Sequence, residues 1–96
     1  MKEKPNFNKT EPKKVYQRKG YVIYRINNKY YAVENVNKPQ GMSIYIKTFN
    51  KAKSLIDLAL RSKLPNTPRK WEIRILIKIS DDKEYIRNLK ELLEEL

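Results

Sequence analysis

The sequence predicts an α+β domain, and three observations predict it. Apolar residues alternate with period two through residues 21–47, the period turns helical from Asn50, and 96 residues leave room for one compact core. The expected order is β-β-β-α-β-α: a mostly antiparallel sheet with helices on one face, spanning residues 20–96. A flexible basic arm over residues 1–19 precedes it. That arm carries Lys2, Lys4, Lys9, Lys13, Lys14, Arg18 and Lys19 against Glu3 and Glu11, with Pro5 and Pro12 and few apolar side chains.

The first pair of strands reads Tyr-Val-Ile-Tyr-Arg-Ile from Tyr21, a turn at Asn27-Asn28-Lys29, and Tyr-Tyr-Ala-Val-Glu-Asn-Val ending at Val36. β-Branched and aromatic residues around Asn residues that tolerate positive φ make a hairpin. With a two-residue turn, Val22, Tyr24, Ile26, Tyr31 and Val33 share one face, the expected core face. Tyr21, Ile23, Arg25, Tyr30, Ala32 and Glu34 share the other. After Pro39 and Gly41, a third strand over Ser43 to Phe49 sets Ile44 and Ile46 on one side and Tyr45 and Lys47 on the other.

Ala52, Leu55, Ile56, Ala59 and Leu60 then mark one face of a helix that starts at a Thr48 or Asn50 cap and runs to about Lys63. Pro65 and Pro68 make Leu64 to Lys70 a loop. From Trp71 to Ile79 every second residue is apolar (Trp71, Ile73, Ile75, Ile77, Ile79), the alternation of a strand. The chain ends in an amphipathic helix that opens on Asp81 and Glu84 in capping-box spacing and carries Tyr85, Ile86, Leu89, Leu92, Leu93 and Leu96.

Twenty-two Lys and Arg against eleven Asp and Glu give a net charge of +11, a pI near 9.9 and a mean hydropathy of -0.83. The excess is local: residues 1–70 hold seventeen basic and four acidic side chains, and residues 71–96 hold five and seven. Such a balance points to a polyanionic partner. A composition rich in Lys, Ile, Tyr and Glu is thermophile-like, yet thermophile surfaces add Glu with Lys, so habitat does not explain the excess.

The chain has no Cys and no His. Disulfides, thiolate metal sites, thiol nucleophiles and the commonest general base are thereby excluded, and no metal or cofactor is expected. Without a long apolar window or a signal-peptide stretch, the expected setting is intracellular, away from membranes. An enzyme, such as a nuclease, would have to work with Tyr or with carboxylates such as Glu34, Asp57, Glu72, Asp81 and Asp82. Helix-start and surface roles account for these, and no catalysis is expected.

Aromatic residues interleaved with cations suit nucleic acid, because bases stack on rings while Lys and Arg neutralise phosphates. The expected contact residues are Lys13, Lys14, Arg18 and Lys19 of the arm, Tyr21, Arg25, Tyr30, Tyr45 and Lys47 on one sheet face, and Lys38 in the loop beside it. Residues 21–63 resemble the three-stranded-sheet-plus-helix module of APETALA-type and recombinase arm-binding domains: strand, tight turn, strand, loop, a strand ending in Lys47-Thr48-Phe49, and a helix with Ala52. Asn27-Asn28 replaces the usual Gly of the first turn. The resemblance implies a sheet that enters the major groove. The expected function is a small nucleic-acid-binding protein in a regulatory or architectural role, with duplex DNA favoured over RNA, that holds phosphates with the arm and lays the sheet face on the duplex. The helix from Lys51 to Leu60 after three strands is also similar to the later part of a double-stranded-RNA-binding domain, whose first helix has no counterpart here.

Two further expectations concern proteins as partners. Leu89, Leu92, Leu93 and Leu96 form a stripe that either covers this domain's own core or joins a homodimer. The alternative to nucleic acid is an interaction module or inhibitor that binds an acidic protein surface.

Overall fold

The computed structural model describes residues 12–96, so the arm as far as residue 11 lies outside the described residues. Four antiparallel strands, β1 (Lys13–Arg18), β2 (Tyr21–Ile26), β3 (Tyr30–Asn35) and β4 (Met42–Ile46), form one sheet in chain order. Three helices follow: α1 (Phe49–Arg61), α2 (Lys70–Ile79) and α3 (Lys83–Glu95). The class is α+β with an antiparallel sheet, as expected, but the order is four strands and then three helices. Among the described residues no helix is long and apolar enough to cross a membrane.

Two elements differ from the sequence reading. Lys13 to Arg18, assigned to the arm, pairs with β2 as an edge strand. Its charged and mostly exposed side chains suit an edge, where Lys discourages pairing with another chain. Lys19 and Gly20 close the β1–β2 hairpin at φ 48° and 88°, the doubly positive geometry of a tight two-residue turn. The second difference is Trp71 to Ile79, read as a strand, which lies within helix α2. Glu72, Ile73, Ile75, Leu76 and Ile79 are its buried positions, a helical spacing that the run of isoleucines had masked.

The β2–β3 turn has three residues rather than two. Ile26 pairs with Tyr30, Asn27 and Asn28 both lie in the left-handed region at 58° and 57°, and the Lys29 amide donates to the Ile26 carbonyl at 3.0 Å. One extra residue exchanges the faces. Tyr21, Ile23 and Val33 therefore face the helices, in one cluster with Ile46 of β4 and buried residues of all three helices. Val22, Tyr24, Ala32 and Glu34 share the other face with Lys14, Gln17 and Met42, their cross-strand partners.

The first helix follows the sequence closely: Thr48 is its cap, its Oγ1 accepting from the Lys51 amide at 3.0 Å, and Ala52, Leu55, Ile56 and Ala59 are buried. Asp82, not Asp81, caps α3, its Oδ1 accepting from the amides of Glu84 and Tyr85. Leu89 is fully buried, Leu92 and Leu93 pack against the core, and Leu96 is exposed. The leucine stripe thus mostly covers the domain's own core, packing helix on helix against α2.

A polar anchor joins the β3–β4 loop to the end of α2. Asn35, 2% exposed, donates from Nδ2 to the Ile79 carbonyl at 2.8 Å and to Asp81 at 3.2 Å, and its Oδ1 accepts from the Asn37 amide at 2.9 Å. Lys38 Nζ donates to the carbonyls of Ile77 at 2.9 Å and Ser80 at 2.6 Å. A cation at a helix C-terminus satisfies orphan carbonyls and opposes the negative end of the dipole. Gly41 closes the loop, where a Cβ would stand 2.9 Å from that of Lys38.

Candidate nucleic-acid interface

The residues expected to share a sheet face are divided by the exchanged register. Tyr21 is 6% exposed and belongs to the core; burial, with the Asp81 charge, pushes its hydroxyl above the usual tyrosine range. Lys38 is held by the α2 carbonyls, and burial lowers its ammonium pKa. Arg25 is exposed and pairs with Lys13 and Tyr31 on the helix side. Lys13, Lys14 and Lys19 are exposed along β1 and its turn, and Arg18 lies 3.6 Å from Asp57 of α1. Tyr30 lies on the sheet face away from the helices and meets Tyr45, their ring centres 4.8 Å apart.

Tyr45 and Lys47 have different neighbours from those the alternation implied. Tyr31 pairs with Ile46 but Val33 pairs with Ser43, so β4 carries one extra residue, and Tyr45 adopts φ 70°. This bulge breaks the alternation of β4: Ile46 is fully buried, while Ile44 is 39% and Tyr45 69% exposed. Tyr45 and Lys47 then line a cleft of about 530 Å³ with Lys51 of α1, Arg69 and Trp71. The cleft adjoins a groove of about 640 Å³ beside α1 and the 63–69 connection, and Lys51, Arg69 and Trp71 line both.

Cations dominate this surface. Lys47, Lys51, Arg61, Lys63 and Arg69 line it, with two carboxylates, Asp57 and Glu72. Both carboxylates are engaged: Asp57 with Arg18 and Arg61, and the buried Glu72 with Lys51, whose ammonium also lies 5.7 Å from the centre of the Trp71 ring. Among the described residues Lys47, Lys63 and Arg69 make no ion pair. Arg69 is also the N-cap of α2 but supplies no capping hydrogen bond, and the one acidic side chain of the first turn, Glu72, is paired with Lys51.

Sequence reasoning missed Lys51, Lys63, Arg69 and Trp71. The signal was present in the cluster Pro68-Arg69-Lys70-Trp71, a proline and two cations before the only Trp, but reading a strand from Trp71 placed that residue in the core. The candidate carboxylates do not assemble: Glu34 accepts from the Tyr24 hydroxyl, Glu72 pairs with Lys51, Asp81 accepts from Asn35 and Asp82 caps α3. Among the described residues no three Asp or Glu side chains are grouped as metal ligands. Compared with known proteins, the chain matches no family model, no curated protein and no solved structure.

Proposed function

We propose that the chain is a non-enzymatic nucleic-acid-binding protein that holds phosphates along the adjoining cleft and groove, with Lys47 in the cleft, Lys63 in the groove and Arg69 lining both. The observation that carries this reading is their grouping: three cations without ion pairs among the described residues, beside exposed Tyr45 and Trp71. Phosphates satisfy such cations and release counterions, and the helix end at Arg69 adds to the attraction. The sheet face away from the helices is a poorer surface for DNA than its sequence suggested, with Val22 and Ala32 on it buried. Among the described strand residues paired there, Lys14 is the one cation beside Tyr24, Ala32, Glu34 and Met42, and Glu34 is bound to Tyr24.

Fluorescence anisotropy of labelled oligonucleotides over a range of salt tests this. Lys47→Ala with Arg69→Ala is expected to lower the slope of log affinity against log salt by roughly 1.4 to 1.8, two phosphate contacts' worth. An unchanged slope removes the groove from the interface. Equal affinity for polyglutamate moves the assignment to an acidic protein surface.

A further inference from the structure

We infer that the Tyr45–Trp71 cleft receives an unpaired base of a single-stranded nucleic acid, with the flanking phosphates on Lys47 and Arg69. This rests on the nucleic-acid reading above and narrows it to a strand state. Tyr45 and Trp71 lie far apart in the chain and come together where the end of β4 meets the start of α2. Both are well exposed, at 69% and 44%, although aromatic surface of this size is normally buried.

Tyr45 is placed there at a cost. A bulky residue at φ 70° is strained, and such strain concentrates at ligand sites. At the bulge the Tyr45 side chain stands well exposed, and the Tyr30 ring packs against it. Trp71 is supported by Lys51, itself fixed by Glu72. The result is two braced rings in a concave site of about 530 Å³, within the range of small-ligand clefts.

Strand state follows from access. In a duplex the bases are stacked inside and present only their edges and the backbone, so the exposed rings of Tyr45 and Trp71 find no base face to meet. A single strand splays its bases, and aromatic side chains stack on them with little sequence preference. The cleft also has cations on its own wall, so one nucleotide satisfies both features: base against Tyr45 and Trp71, phosphate against Lys47 or Arg69.

The test uses the full chain, a labelled 16-nucleotide oligo-dT, the same strand annealed to oligo-dA, and an oligo of the same length built of abasic sites. Trp71 is the only Trp, so its fluorescence reports on the cleft directly. The expected result is at least tenfold tighter binding to oligo-dT than to duplex, with Trp71 quenched by oligo-dT and not by the abasic strand. Tyr45→Gly, which removes the ring and suits the positive φ, and Trp71→Ala should each weaken oligo-dT binding about 5- to 100-fold. They should leave abasic-strand binding and the salt slope unchanged, and Trp71→Phe should restore most of the affinity. Abasic and normal strands bound alike, with unquenched Trp71, would overturn the base site while leaving the phosphate groove standing. No binding to any of the three would overturn the nucleic-acid reading itself.

Discussion

The two ends of helix α2 are built on opposite terms. At its C-terminal end Lys38 and Asn35 supply donors to the last carbonyls, and both side chains are taken up by the protein. At its N-terminal end Arg69 occupies a cap position without capping, and Trp71 stands exposed over a cationic cleft. One end satisfies the backbone with side chains. The other leaves donors, charge and aromatic surface with fewer protein partners than a fold selected for stability alone would supply. A cation held by carbonyls is structural, whereas cations gathered in a cleft beside exposed rings suit a ligand.

The sharpest way to break the anchored end is Asn35→Ala, which strands the Ile79 carbonyl and the Asn37 amide near a buried position. A loss of about 2–4 kcal/mol in urea denaturation is expected. Lys38→Met should cost about 1–2 kcal/mol and leave the salt slope of nucleic-acid binding as it was. A reduced slope in that variant would return Lys38 to the interface and blur the contrast between the two ends.

Next in size is an alkaline transition reported by Tyr85. Its hydroxyl donates to the Lys63 carbonyl at 2.6 Å, and burial pushes its pKa up from 10.0 to about 12. Below pH 10 the neutral phenol is present in folded and unfolded chains alike, and its stabilising contribution is complete. Between pH 10 and 12 the unfolded chain ionises while the folded chain stays protonated, so stability falls, by on the order of 2 kcal/mol. Tyr85→Phe should flatten that fall in denaturation curves taken from pH 9 to 12, and an equally steep fall would assign it to other groups.

What was legible in the sequence divides along the same line. Helices α1 and α3 show in their periods because each buries one regular face, and strands β2 and β3 show in their β-branched and aromatic runs although each holds buried residues on both faces. The register of the hairpin did not show, because Asn27-Asn28-Lys29 accommodates a turn of two residues or three, and the choice exchanges Tyr21 and Ile23 with Val22 and Tyr24 between faces. Strand β1 was hidden by polarity: an edge strand such as Lys13 to Arg18 needs few apolar side chains, and only the Lys19-Gly20 turn betrays it. Helix α2 was hidden by excess, since its isoleucines satisfy period two as well as the helical spacing of Glu72, Ile73, Leu76 and Ile79. Tyr45 and Lys47 were legible as candidates from their chemistry. Their neighbours Arg69 and Trp71 were not, because the bulge and the packing of α2 that bring them together leave no local pattern.

Lys51 sits at the boundary between the two kinds of residue, and Lys51→Met probes it. The substitution keeps the stem but leaves the carboxylate of Glu72, buried on α2, without its cation. A cost of about 1–2 kcal/mol is expected, below that of a fully buried pair because Lys51 is itself part exposed. Lys51→Met with Glu72→Gln should recover most of that loss in thermal denaturation. If the double variant is no more stable than the single one, Lys51 supports the fold through its contact with Trp71 rather than through the ion pair.

The smallest effect discriminates most sharply, because at Arg69 stability and the proposed function ask for opposite residues. An N-cap favours Asp, Asn or Ser, whose side chain accepts from the first-turn amides, and a negative charge there also suits the helix dipole. Arg69 does neither. Arg69→Asp should therefore raise stability by about 0.5–1 kcal/mol in urea denaturation while weakening oligonucleotide binding, since it places an anion where a phosphate is proposed to lie. Arg69→Ser should gain a similar amount of stability and lose less affinity. A gain in stability with no loss of affinity would mean that the uncapped end of α2 is merely unoptimised, and the contrast between its two ends would then say nothing about a ligand.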